Sequence, residues 1–217
     1  MTTTTKERPI PFTATEVRAI LAGTKTMTRR VVKPQPDLPA HEWHAMRGSG
    51  LSERHYFWTD GFPVNDKFVS ECCPYGVPGD RLWVKESYRL ERKWDSYSPG
   101  DVLADIPPAV WYEADERQGP IESSPWGKLR PSIHMPRKLS RILLEIESVK
   151  VERVQDISEE DAKAEGVPQE LLDEHPEPQP LGRYRVAFAN LWDSIHGPGA
   201  WARNDWGWAI KFRRVEA

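Results

Sequence analysis

At 217 residues the chain has room for one large domain, with 38% apolar and 29% charged residues and a formal net charge of -3. That charge excludes a protein that coats nucleic acid, so any nucleic-acid contact must come from a local patch. Twenty prolines argue for many loops and edges and against an all-helical fold, while ten tryptophans supply rigid apolar area.

In chain order, residues 1–8 read as a polar, frayed tail, and Met1-Thr2-Thr3-Thr4-Thr5 has no apolar core of a signal peptide. Ile10-Pro11-Phe12 is expected as a short edge strand. Thr13-Ala14-Thr15-Glu16 matches a capping box, and Val17, Ile20 and Leu21 recur at helical spacing, so a helix is expected over 14–22. Gly23 stops it. Lys25, Thr26, Thr28, Arg29 and Arg30 then form a basic-hydroxyl run that leads into a strand over 28–32. Such a run suits an anion or nucleotide, and it equally suits a helix C-terminus, whose dipole favours cations.

From Lys33 to about 70 prolines and glycines break the pattern. An insertion is expected there, its Trp43, His44, His55, Tyr56 and Trp58 either pinning the loop to the body or stacking on bases. The adjacent Cys72 and Cys73 are too close to bridge easily and are expected to be reduced thiols. Pro78-Gly79 fits a type II turn. A strand follows over 81–90, with Glu86 on the same side as Leu82 and Val84. An acid there is either in solvent at the strand end or held by a partner in a pocket.

Residues 91–108 are irregular, and Val110–Ala114 reads as a short strand. Ser132, His134 and Arg137 stand in a loop that suits a polar cleft. Ile142, Leu144 and Ile146 alternate, and the phase slips near Ser148 before Val149 and Val151 resume it, as at a bulge. Ser158 caps a short helix that ends at Gly166 and carries Asp161 and Glu165 at i, i+4. Residues 167–182 read as a proline-rich linker-like insertion. A helix over 183–195 shows an apolar stripe of Tyr184, Ala187, Phe188, Leu191, Trp192 and Ile195, and a strand closes the chain over 206–214.

The sum is an α+β domain over 9–217: five or six strands with three helices, forming a compact barrel or half-barrel. No run of about 18 apolar residues is present to span a membrane. No His/Cys spacing suggests a metal, and no cofactor is implied.

Gly23-x-Lys25-Thr26-x-Thr28-x-Arg30, Pro78-Gly79-Asp80, Asp161-Ala162-x-Ala164-Glu165-Gly166 and the aromatic closing strand together resemble the ASCH domain family of the PUA-like superfamily. The run from Pro74-Tyr75-Gly76 through Glu86, with Pro131 to Pro136, resembles the larger ASCH proteins of phages and prophages. The resemblance implies a small PUA-like β-barrel that binds RNA or modified nucleosides. Small bacterial members hydrolyse acetylcytidine, and their catalytic lysine, threonine and glutamate match Lys25, Thr28 and Glu165. Arg29 and Arg30 are then expected to hold phosphate, and Glu86, Tyr112, Ser132, His134 and Arg137 to line the substrate. The expected partner is a nucleoside or RNA, acted on in the cytoplasm by a monomer or weak oligomer. A non-catalytic RNA reader, a ribonuclease and a phage morphogenesis role are the other readings.

Overall fold

A computed structural model describes residues 5–35, 46–47, 56–57, 72–102, 108–115, 124–174 and 182–216. The aromatic and histidine residues expected to serve the insertion, apart from the backbone of Tyr56, lie outside them. The protein is mixed α+β. Among the described residues a five-stranded sheet runs in the order β1-β5-β8-β9-β2, formed by Glu7–Pro11, Arg81–Lys85, Leu143–Arg153, Trp206–Val215 and Met27–Val31. Two short pairs stand apart, β3 (Met46–Arg47) with β4 (Tyr56–Phe57) and β6 (Tyr88–Leu90) with β7 (Val110–Tyr112). No helix among the described residues is long and apolar enough to cross a membrane.

Of the barrel or half-barrel expected, no closed barrel is formed among the described residues, whose sheet is open at β1 and at β2. The sequence of β1 explains its edge. Phe12 N donates to Lys85 O at 3.0 Å, so the even-numbered amides face β5. The outward positions include Pro9 and Pro11, which have no N–H to offer another strand. The strand starts at Glu7, inside the tail expected over 1–8.

Contacts divide the chain into two compact units. The first comprises Met1–Gly23, Arg81–Glu145 and Arg214–Ala217. Helix α1 (Ala14–Leu21) opens on the capping box: Glu16 N donates to Thr13 Oγ1 at 3.3 Å and Thr13 N to Glu16 Oε2 at 2.8 Å. β1 pairs parallel with β5, and β5 pairs antiparallel with the first residues of β8. The single strand expected over 81–90 is broken between β5 and β6. At the break, Glu86 N donates to Met135 Sδ at 3.2 Å instead of to a neighbouring strand. β6 then pairs with β7, and Tyr88, Leu90, Val102, Met135 and Leu139 form a local core. A short helix α2 (Pro99–Val102) ends on Val102.

The second unit comprises Thr24–Asp80 and Ile146–Arg213. Gly79 sits at φ 89°, and Asp80 N donates to Val77 O at 2.9 Å, which is the expected type II turn. Along β8 the buried positions run Leu144, Ile146 and then Val149, so the slip near Ser148 is present within a continuous strand. β9 lies between β8 and β2, and Gly207 to Ile210 are buried on both faces, which erases the expected alternation.

Helices α3 (Glu159–Ala164), α4 (Gln169–Asp173), α5 (Arg183–His196) and α6 (Ala200–Arg203) pack around Val154, Ile157, Ala162, Leu172, Phe188 and Trp192. Glu159 of α3 accepts from Tyr184 N at 2.8 Å and Arg185 N at 3.0 Å, capping α5. Gly182, before α5, sits at φ 91°, a backbone conformation that favours glycine, and a Cβ there would also crowd that carboxylate. Ile195, expected in the buried stripe, is 54% exposed, while the fully buried residues of α5 are Ala187, Phe188 and Trp192.

Candidate functional site

The site starts at the C-terminus of α3. Ser158 Oγ accepts from Asp161 N at 3.0 Å to open this helix, and Gly166 at φ 70° ends it. A helix end leaves carbonyls without intrahelical partners. The loop before β2 supplies donors for two of them: Thr26 N bonds Ala164 O at 2.9 Å, and Lys25 Nζ bonds Glu165 O at 2.8 Å. The same ammonium meets Glu165 Oε2 at 3.0 Å. Both side chains are buried.

Arg29 completes the arrangement from β2. It donates to Glu165 Oε1 at 3.1 Å, to Asp161 Oδ2 at 3.2 Å and to Glu152 Oε1 through two nitrogens. Burial pulls the Arg29 guanidinium down, but the carboxylates of Glu165 and Glu152 outweigh it and hold it above its ordinary value. Arg29, expected at a phosphate, is therefore inside, and its nitrogens serve three carboxylates. The space comes from β9, whose residues opposite Arg29 and Val31 are Ala209 and Gly207. Among the described residues no cluster of His, Cys, Asp and Glu is arranged to hold a metal ion.

Thr28 is buried on the neighbouring position of β2 and pairs with Ile210. The β2 to β9 register is unbroken, so side chains alternate and Thr28 projects to the face opposite Arg29. Arg30 shares the face of Thr28. Its charge reaches Tyr75, whose hydroxyl is held above its ordinary range by burial in spite of Arg30.

Burial lowers the His196 imidazole from its ordinary 6.5, and Arg30, Lys33 and Arg203 push it further down. The folded protein thus holds fewer protons than the unfolded chain in the window beneath 6.5. Stability is expected to rise with pH through that window and to be lost as pH falls through it. His196→Gln is expected to flatten this slope, read from urea midpoints between about pH 5 and pH 7.

The remaining expected residues belong to the first unit. Glu86 is fully buried, and Arg141 grips both its oxygens, at 3.0 Å each. Of the two readings of Glu86, the structure selects the partner in a pocket. Burial pushes the Glu86 carboxyl up, and the hydrogen bonds and charge of Arg141 pull it only part of the way back. Arg141 also donates to both oxygens of Asp115, at 3.1 and 2.7 Å, and lies 3.9 Å above the Tyr112 ring. The Tyr112 hydroxyl donates to Leu139 O at 2.9 Å. Ser132 and His134 sit on a short turn of 3₁₀ helix with His134 exposed, and Arg137 donates to Glu7 at 2.9 Å.

Sequence reasoning passed over Arg141 and Glu152. The only local sign of Arg141 is a cation directly before an apolar strand, and Glu152 follows the phase slip in β8. Asp161 was visible through its i, i+4 spacing to Glu165, and the shared guanidinium explains how two acids tolerate that spacing. No family model, no curated protein and no solved structure matches this chain.

Proposed function

We propose that this chain is an ASCH-type protein of the PUA-like class that removes an acyl group from N-acetylated cytidine or a similar modified nucleoside. The observation that carries the proposal is the pairing of Lys25 with Glu165. The two lie 140 residues apart, the family pattern singles out both, and they meet at 3.0 Å in a buried position. In this reading the open described sheet is the part of the PUA-like barrel that carries the site.

Amide hydrolysis needs a nucleophile, a donor for the developing oxyanion and a proton for the departing amine. Water attacks the acyl carbon while Glu165 takes its proton. Lys25 donates to the oxyanion. Glu165 then returns the proton to the exocyclic nitrogen, the carbon–nitrogen bond breaks, and acetate and cytidine leave. Arg29 holds the second oxygen of Glu165 in place throughout. Thr28 has no role in this step, since strand alternation turns it to the face opposite Arg29.

That placement of Thr28 favours a second reading, in which the site binds a modified base without cleaving it. Acetylcytidine incubated with the protein and followed by chromatography separates the two. The first reading expects cytidine to appear, and expects Lys25→Ala to lose about a hundredfold or more in rate. RNA binding without turnover would select the binding module. RNA cleavage that disappears with the same substitution would select a ribonuclease.

A further inference from the structure

Given the reading of Lys25 and Glu165 as the hydrolytic pair, on which this rests, we infer that Glu152 is a positioning residue of the same site. It acts through Arg29, by fixing the guanidinium so that one nitrogen meets Glu165.

Arg29 comes from β2 and Glu152 from β8, the two neighbours of β9. They meet across that strand, where the residue paired with Arg29 is Ala209, whose methyl leaves room for both side chains. Strands lie about 4.8 Å apart, so the pair spans roughly 10 Å, a reach that suits arginine and the longer of the two acids.

A guanidinium carries five hydrogens, and each has an acceptor. Nε donates to Glu152 Oε1 at 3.1 Å. Nη2 donates to the same oxygen and to Asp161 Oδ2 at 3.2 Å. Nη1 donates to Glu165 Oε1 at 3.1 Å and to Met27 Sδ at 3.3 Å. Arg29 is thus fully engaged in holding its neighbours, and its own orientation depends on what holds it.

Glu152 does this more firmly than Asp161. It engages two nitrogens on one edge of the guanidinium, which fixes the plane, whereas Asp161 engages one. The Glu152 side chain is 23% exposed and that of Asp161 37%, so water competes less with Glu152. With Nε and Nη2 fixed, Nη1 is turned to Glu165 Oε1, and Oε2 is left to Lys25 at 3.0 Å. Taking a proton and returning it to another atom requires the carboxylate to keep one orientation. Without Glu152 the guanidinium can turn about its Nε–Cζ bond, and Glu165 loses that support.

Kinetics and NMR of the full chain test this together. Glu152→Ala is expected to lower kcat for cytidine release from acetylcytidine about ten- to a hundredfold, with KM within about twofold. Glu152→Gln keeps an oxygen for Nε and is expected to stay within about fivefold of the parent, and Asp161→Asn within about threefold. Glu152→Asp withdraws the oxygen by one carbon. It is expected to lose about tenfold and carries the test where the alanine variant does not fold. In nitrogen–proton spectra the Nη hydrogens of Arg29, assigned by their loss in Arg29→Lys, are expected to give separate signals in the parent. In Glu152→Ala or Glu152→Asp they are expected to average. A side chain serving stability alone would lower the melting temperature and leave kcat of the folded variant unchanged. Unchanged kcat in the folded variants, or Arg29 signals that stay separate, would overturn the inference and leave the hydrolase reading standing. No release by the parent would overturn the hydrolase reading and this inference with it. The spectra, taken without substrate, tell the two failures apart.

Discussion

Glu165→Ala is expected to destabilise the protein by about 3–5 kcal/mol, the range found when one partner of a buried ion pair is removed. The carboxylate is 4% exposed and is shared by Lys25 and Arg29. Its loss takes the buried carboxylate away from the Lys25 ammonium. Arg29 retains Glu152 and Asp161 and is the less affected cation. Glu165→Gln keeps an oxygen for one donor but removes the charge, and a smaller loss is expected. Urea unfolding of both variants, with unchanged slope against denaturant, measures the difference. A Glu165→Ala midpoint equal to that of the parent would mean that the two cations find other partners.

Arg141→Ala is expected to cost a similar amount, about 3–5 kcal/mol, for the mirror reason. Glu86 is fully buried, and among the described residues Arg141 supplies both hydrogen bonds that its carboxylate receives from side chains. Asp115 is partly exposed and can return to water. The loss is expected to depend on pH. Burial already holds the Glu86 carboxyl above its ordinary 4.5, and Arg141 is the group pulling it down. Without Arg141 the carboxyl takes a proton at higher pH and escapes the burial of its charge. The folded variant then binds more protons than its unfolded chain as pH rises above 4.5, so its stability falls with pH through that window. Arg141→Lys is expected to recover only part of the loss, since a single ammonium cannot fork to both carboxylates. Urea midpoints of the two variants, compared at acid and neutral pH, check this.

Local chemistry made much of the fold legible. Thr13 and Glu16 announce α1, Pro78-Gly79 announces its turn, and Ser158 announces α3, because each acts within four residues of itself. The edge strand expected at Ile10-Pro11-Phe12 was legible and is β1, but its partner was not. The opening at β1 depends on which of its amides face β5, a matter of parallel pairing with residues about seventy positions on. The break after Lys85 was hidden for the same reason, since Met135 and Arg141 draw Glu86 out of the ladder from far along the chain.

The candidate site divides along the same line. Lys25, Thr28 and Glu165 came from a resemblance, and of these the structure pairs Lys25 with Glu165. The role of Arg29 could not be read, because period-two alternation gives its face but not what covers it. Glu152 lies 123 residues away and no local pattern joins the two.

The central claim is that the pairing of Lys25 with Glu165 is chemical and not only structural. Lys25→Ala separates the two, since Glu165 keeps Arg29 and the expected loss of stability is about 1–3 kcal/mol. The decisive measurement is the rate of cytidine release from acetylcytidine by this variant, taken where it is folded. The account predicts release by the parent and a fall of about a hundredfold or more in Lys25→Ala. Equal rates for the two proteins, or no release by the parent, would contradict it.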